Sequence, residues 1–305
     1  MIKRTLYFGN PAYLKTTNEQ MVIEMQATGE TKSVPIEDIG LIILDHQQIT
    51  ITQSLLAKLL GNNTAVITCD DKHHPAGMQL CLDGHTLQSQ KFKAQIAATA
   101  PLKKQLWQQT VTAKITNQAA VLKEQRPENV PADHAGKYLI NLAAAVKSGD
   151  TTNCEAKAAM YYWKHVFPAF LEFKRDRFGL PPNNLLNYGY SILRALVARS
   201  LVASGLLPTL GIFHRNQYNA YCLADDVMEP YRPYVDKLVC AIIRGNGKFL
   251  EMTPAMKRNL LSIPALDVII DGQKSPMMNA VQRTTASLAK CFEGESRKML
   301  YPFMD

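Results

Sequence analysis

One histidine, two adjacent aspartates and a glutamate stand within LLPTLGIFHRNQYNAYCLADDVMEPYRP, residues 206–233. A neutral imidazole and carboxylates can share a single divalent cation, and oxygen ligands favour Mg²⁺ or Mn²⁺ over zinc. His214 follows Gly205, Pro208 and Gly211, turn-forming residues that close one helix and precede the next. Asp225, Asp226 and Glu229 sit in LADDVMEP, which has the pattern of a helix start. The same residues admit a plainer reading: a capping aspartate in a solvated acidic helix start, favoured by the macrodipole, beside a core histidine.

The elements that must position these groups are helical. A first helix is predicted over 151–166, capped by Asp150 or Thr151 and stopped before Pro168; Glu155, Ala158, Ala159 and Tyr162 share one of its faces. Glu155 is therefore either half buried against a partner or held for a ligand. A second helix is predicted over 184–204, ended by Gly205. A third starts near Leu223 and continues, kinked at Pro230 and Pro233, through YVDKLVCAII. Ahead of them, apolar residues about three or four apart (Leu102, Leu106, Trp107, Val111, Ile115, Ala119, Leu122) predict one long helix over 90–124, with Pro127 and Pro131 ending it. Residues 272–305 read as a final basic helix with a short tail.

The N-terminal part has a different period. TLYF, AYLK, QMVIEM, GLIILD, QITIT and TAVITC are β-prone runs separated by turn residues, with SLLAKLLG as one short helix ended by Gly61. The expected fold class is α+β, with a small β-rich domain over 1–88 followed by a larger all-helical domain over 89–305. No internal repeat or low-complexity tract interrupts it.

Charge divides along the same line. The chain of 305 residues carries a formal net charge of +8; residues 1–90 hold 6 Lys and Arg against 9 Asp and Glu, a balance of −3, and the remainder holds 28 against 17, a balance of +11. Cations on phosphates release counterions, so the second part has the footprint of a polyanion partner such as DNA, or else a merely soluble basic surface. Six scattered cysteines without a CxxC pair read as reduced, mostly buried thiols. No signal-peptide run and no 18-residue apolar span is visible, so a cytoplasmic protein without a membrane partner is expected.

NYGYSILRALVARSLVASGLLPTLGIFH followed by LADDVMEPYRP resembles the core signature of the CRISPR adaptation integrases, the endonuclease subunits that insert new spacers into CRISPR arrays. CEAKAAMYYW is similar to the glutamate motif that precedes that signature. RTLYFGNPAYL, VPIEDIGLIIL and KKQLWQQTVTAKITNQAAVL also fit the family, most closely its members from type II systems. The resemblance covers nearly the whole chain.

Carried over position by position, it implies that Glu155, His214 and Asp226 are the catalytic, metal-binding residues, with Mg²⁺ or Mn²⁺ as cofactor. Asp226 is preferred over Asp225 because it immediately precedes Val227-Met228-Glu229; Glu229 is then a structural carboxylate able to hold Arg232. The resemblance also implies double-stranded and branched DNA as substrates and a homodimer formed through the β-domains. Two such dimers would be bridged by a small partner protein into a four-plus-two complex, with type II effector and accessory proteins as further partners. Candidate phosphate contacts are Lys164, Arg175, Arg177, Arg194, Arg199 and Arg215; Tyr161, Tyr162 and Trp163 stack on bases or pack in the core.

Joining a 3′-hydroxyl to a phosphodiester requires deprotonating a weak nucleophile, neutralising charge at phosphorus and stabilising a departing oxyanion, and a divalent cation assists all three. A metal-bound imidazole nitrogen has no free lone pair, so His214 is not read as the general base. With water in place of the hydroxyl, the same residues make a nuclease. A structure-selective nuclease on branched repair intermediates is therefore the competing function, and a non-catalytic DNA scaffold a third.

Overall fold

The computed structural model describes residues 3–126, 136–170, 173–176, 179–246, 249 and 251–304. Pro127, Pro131 and Arg177 lie outside these. The N-terminal part runs β1 (Arg4–Phe8), β2 (Ala12–Thr17), β3 (Gln20–Met25), β4 (Thr31–Pro35), β5 (Ile39–Leu44), β6 (Ile49–Ile51), α1 (Gln53–Gly61), β7 (Ala65–Cys69) and β8 (Pro75–Gln79). These strands form two four-stranded sheets, ordered β1-β5-β7-β8 and β4-β3-β2-β6. In the first, β1, β5 and β7 are parallel and β8 is antiparallel to β7.

The parallel strand β5 is the sequence IGLIIL, a continuous apolar run as expected of a strand covered on both faces. Its alternation divides it between two cores. Ile42, with Val66 of β7, packs into a cluster with Leu14, Met21, Leu55 and Leu59. Leu41 and Ile43, with Ala65 and Ile67, point the other way into the core of the helical part.

That part contains α2 (Gln88–Ala97), α3 (Ala100–Gln125), α4 (Lys137–Ala145), α5 (Cys154–His165), α6 (Asn183–Ala203), α7 (Cys222–Met228), α8 (Arg232–Asn246), α9 (Pro254–Leu260) and α10 (Met277–Phe292), with short strands β9 (Asp267–Ile270), β10 (Gln273–Pro276) and β11 (Pro302–Phe303). The chain is thus α+β, with a β-rich N-terminal region and a helical remainder, and α3 and α6 are buried on most sides.

Two local expectations need correction. The helix expected over 90–124 is two helices: Thr99 leaves the helix, its Oγ1 accepts from Leu102 N at 3.4 Å, and Pro101 occupies the first turn of α3, where its missing N–H costs nothing. The final segment is not purely helical. The β-branched run Val268-Ile269-Ile270 forms β9, turns through Asp271 (φ 53°) and Gly272 (φ 70°), and pairs with β10 on one side and β11 on the other. Two successive positive φ values suit an Asp-Gly hairpin turn.

Candidate active site

Glu155 is positioned by a cap. Asp150, itself buried, accepts from Cys154 N at 2.8 Å through Oδ1 and from Glu155 N at 2.9 Å through Oδ2. These bonds satisfy two free amides at the start of α5 and set Glu155 in its first turn; the helix begins at Cys154, not at 151 as expected, with left-handed Asn153 in the N-cap position and Asp150 reaching its amides from the preceding turn. From α3, buried Lys114 reaches across so that its Nζ lies 2.6 Å from Glu155 Oε1 and 2.6 Å from Glu229 Oε2. Glu229, in the tight turn between α7 and α8, also pairs with Arg232 Nε at 3.1 Å, the partner expected from their spacing. Asn117 Nδ2, one turn beyond Lys114 on α3, donates to Pro230 O at 2.8 Å and fixes that turn.

The buried charges stay ionised. Burial alone would lower the Lys114 ammonium, yet Glu229 and Glu155 outweigh it and hold the group above its usual range. Burial likewise opposes charge on Glu229, but Arg232 and Lys114 keep its carboxyl below the ordinary range. Glu229 Oε2 is buried against the ammonium.

His214 lies on the loop between α6 and α7. Gln95 of α2 fastens the start of that loop, donating to Leu207 O at 3.0 Å and Leu210 O at 3.1 Å while accepting from Leu207 N at 2.9 Å. The loop then folds around Asp226, which has no exposed surface. Asp226 Oδ2 accepts from Ile212 N at 2.6 Å and Phe213 N at 2.9 Å; Oδ1 accepts from His214 N at 3.3 Å and from His214 Nδ1. Gly211 is obligatory here, because a Cβ would stand 2.4 Å from His214 O and 2.8 Å from Asp226 Oδ2. The Asp226 hydrogen bond holds the imidazole above its usual range against the effect of burial, and Glu229 contributes in the same direction. With Nδ1 committed to Asp226, Nε2 is the ring nitrogen left for a ligand.

The expected site residues therefore fall into two connected groups. Glu155 and Glu229 face one ammonium; His214 and Asp226 form a pair whose imidazole feels Glu229. Asp226, expected as a ligand, has its roughly four lone-pair directions filled by loop donors. Asp225 turns elsewhere, accepting two bonds from Arg194, at 2.7 and 3.0 Å, and one from Asn219 at 2.7 Å. Among the described residues, no three His, Cys, Asp or Glu side chains converge as a metal cluster. A hard divalent ion nonetheless suits the chemistry of the donors: two carboxylates already face one positive charge, and an imidazole offers a nitrogen.

Sequence reasoning missed Lys114, whose only signal was a lysine inside the mostly buried run Val111–Leu122, and it did not place Glu229 beside Glu155. Of the candidate phosphate contacts, Arg199 is buried and donates to Asn63 O, Arg175 is tied to Asn183 and Asn187, and Arg194 to Asp225. Lys164 and Arg215 remain exposed. Tyr162 is buried, its hydroxyl 3.0 Å from Asp236 Oδ2, and its ring meets the partly buried Trp163 edge-on, so both pack in the protein interior.

A family model described as CRISPR associated protein Cas1 matches residues 6–251. A protein named CRISPR-associated endonuclease Cas1, from Neisseria meningitidis serogroup C (strain 8013), is 36% identical over 300 residues, 98% of this chain and 95% of that one. Among solved structures, a casposase bound to integration product has the same fold, with a TM-score of 0.77 at 21% identity over 98% of this chain and 92% of that one. A chain of a Cas6-RT-Cas1–Cas2 complex gives a TM-score of 0.76 at 18% identity, covering 97% of this chain and 36% of that one. No described helix is long and apolar enough to cross a membrane. With a family model spanning most of its length and a relative 36% identical nearly end to end, the chain belongs to the Cas1 family of CRISPR-associated proteins.

Proposed function

We propose that this protein is a metal-dependent DNA integrase and endonuclease of CRISPR adaptation, which inserts short duplexes as new spacers by attack of a 3′-hydroxyl on a repeat phosphodiester. Family membership supports the biological setting, and the fold it shares with a casposase bound to integration product supports the reaction type. The observation that carries the reading is the pairing of Glu155 and Glu229 around a single cation beside His214.

In this reading Glu155, Glu229 and His214 Nε2 hold Mg²⁺ or Mn²⁺, and Asp226, the ligand expected from sequence, acts by fixing the tautomer and orientation of His214. Such an ion, when bound, supplies charge neutralisation at phosphorus and lowers the barrier to deprotonating the attacking hydroxyl. Arg232 orients Glu229. Lys114 keeps the buried Glu229 and the partly exposed Glu155 carboxylates from repelling each other before the ion arrives and must yield its position to it. Asp150 fixes the start of α5, which carries Glu155, and Gln95 fixes the start of the loop that carries His214.

The partners follow from the same reading: double-stranded and branched DNA on the basic helical part, a second copy through the β-rich region, and a small Cas2 protein bridging two dimers. The Cas6-RT-Cas1–Cas2 complex, whose chain has the same fold, supports the Cas2 assignment. A strand-joining assay with labelled duplex, repeat-bearing target DNA, Cas2 and Mg²⁺ or Mn²⁺ tests the function. Joined products that vanish in Glu155→Ala and Glu229→Ala are expected; cleavage of branched DNA with no joining at all would make the protein a repair nuclease instead.

A further inference from the structure

Phe213, immediately before His214, keeps 46% of its surface exposed although its other face is fully engaged. That inner face lies flat on Trp107 of α3, with ring centroids 4.2 Å apart and planes only 1° from parallel. Trp107 is 1% exposed, so the pair is an aromatic ring laid on a buried, immobile base. The imidazole of His214 stands edge-on to both rings, at 5.7 Å from Trp107 and 5.6 Å from Phe213. The backbone N–H groups of Phe213 and His214 are both held by Asp226.

We infer that the outer face of Phe213 is a stacking platform for a nucleobase of the DNA strand whose phosphodiester reacts at the neighbouring site. The inference rests on the reading of Glu155, Glu229 and His214 as a strand-joining centre. Three observations point to a base as the occupant. A flat aromatic face with a rigid backing offers the sequence-tolerant contact that every base can use. Arg215, exposed and two residues along the loop, supplies a cation within reach of the same nucleotide strand. The charge balance of +11 outside residues 1–90 draws a polyanion to this part of the protein. The ring that takes the base is also the ring against which His214 packs, so stacking the base aligns its phosphate with the imidazole. Phe213 is thus a positioning residue, not a catalytic one.

The test uses the full-length protein and branched DNA carrying 2-aminopurine at successive positions around the junction, in EDTA so that no chemistry occurs. Stacking quenches 2-aminopurine fluorescence. Quenching at one position is expected with the wild type and with Phe213→Trp, and its loss with Phe213→Leu, which retains apolar bulk over Trp107. Strand joining by Phe213→Leu should show a rise of roughly tenfold in KM for DNA, the scale of one lost base stack, restored by Phe213→Trp. Undiminished quenching in Phe213→Leu overturns the platform. So does a fall in kcat with unchanged KM, which would mean that Phe213 only packs His214. Absence of quenching at every position in a wild-type protein that still joins strands overturns the platform alone; quenching in a protein that joins nothing supports it and removes the catalytic reading.

Discussion

Lys114 and Glu155, 41 residues apart and on different helices, meet at 2.6 Å with the lysine simultaneously 2.6 Å from Glu229. The ammonium is the neutralising partner of both carboxylates. Replacing it by methionine leaves buried Glu229 facing the partly exposed Glu155 without the shared cation, a loss of about 3 kcal/mol by comparison with broken buried ion pairs. Thermal unfolding of Lys114→Met should therefore show a lower Tm in EDTA and a recovery on adding Mn²⁺ larger than that of the wild type. Equal responses would separate the metal from this pair of carboxylates.

The three neighbouring acids should part company under substitution. Glu229→Gln is expected to abolish strand joining together with Mn²⁺ binding, measured by calorimetry. Asp226→Asn should retain Mn²⁺ with an affinity lower by roughly 10–100-fold, as for groups that orient a ligand. Its Tm should also fall, because an amide cannot accept all four of the loop's hydrogen bonds. Asp225→Asn should weaken the Arg194 and Asn219 contacts and leave joining largely intact. Loss of Mn²⁺ in Asp226→Asn and its retention in Glu229→Gln would return the ligand role to Asp226.

Gly211→Ala probes the same loop by bulk alone. The added methyl would sit 2.4 Å from His214 O, a backbone atom that moves only with the loop. A destabilisation of about 1–3 kcal/mol is expected from such overpacking, with loss of joining but retention of salt-sensitive DNA binding in a filter or anisotropy assay.

A pH effect should originate away from the site. Asp236 is buried, receives hydroxyls from Tyr162 and Tyr190, and is pushed up to about 6 by burial, although those hydroxyls and Arg232 and Arg175 pull the other way. The unfolded chain loses this proton near pH 4 and the folded protein near pH 6, so the folded state holds the extra proton between them. Stability from this group accordingly falls as pH rises through that window and is constant above it. Asp236→Asn does not titrate. The unfolding free energy of the variant minus that of the wild type should rise by up to roughly 3 kcal/mol from about pH 4 to about pH 6, then level off. Chemical denaturation at a series of pH values measures it, and a flat difference would place the proton elsewhere.

Much of the fold was legible because periodicity and punctuation agreed. Gly205 ends α6 with φ of 72°, as its position implied, whereas the single helix expected from Leu223 onward with kinks at Pro230 and Pro233 is two helices, α7 and α8, parted by a tight turn at Glu229–Tyr231, with Pro233 in the first turn of α8. Thr99-Ala100-Pro101 and Asp271-Gly272 carried equally clear signals, a helix start and a hairpin turn, but each was obscured by apolar spacing that continued across it. The site was legible only in part. Asp226 and Glu229 lie three residues apart and occupy one side of the chain, so spacing could not say which of them faces Lys114 and Glu155. That is decided by the loop over 211–214, whose donors use up the oxygens of Asp226. Lys114 was invisible for another reason: its meeting with Glu155 depends on how α3 crosses α5, a property of packing and not of either helix alone.

The division of β5 between two cores has a mechanical consequence. Leu41 and Ile43 are anchored among the helices while Ile42 between them is anchored in the β-rich layer, so the strand cannot tilt without opening one core or the other. Under the proposed assembly through the β-rich regions, a displacement of one β-rich layer would carry its helical part, and Glu155 with it, as a single body.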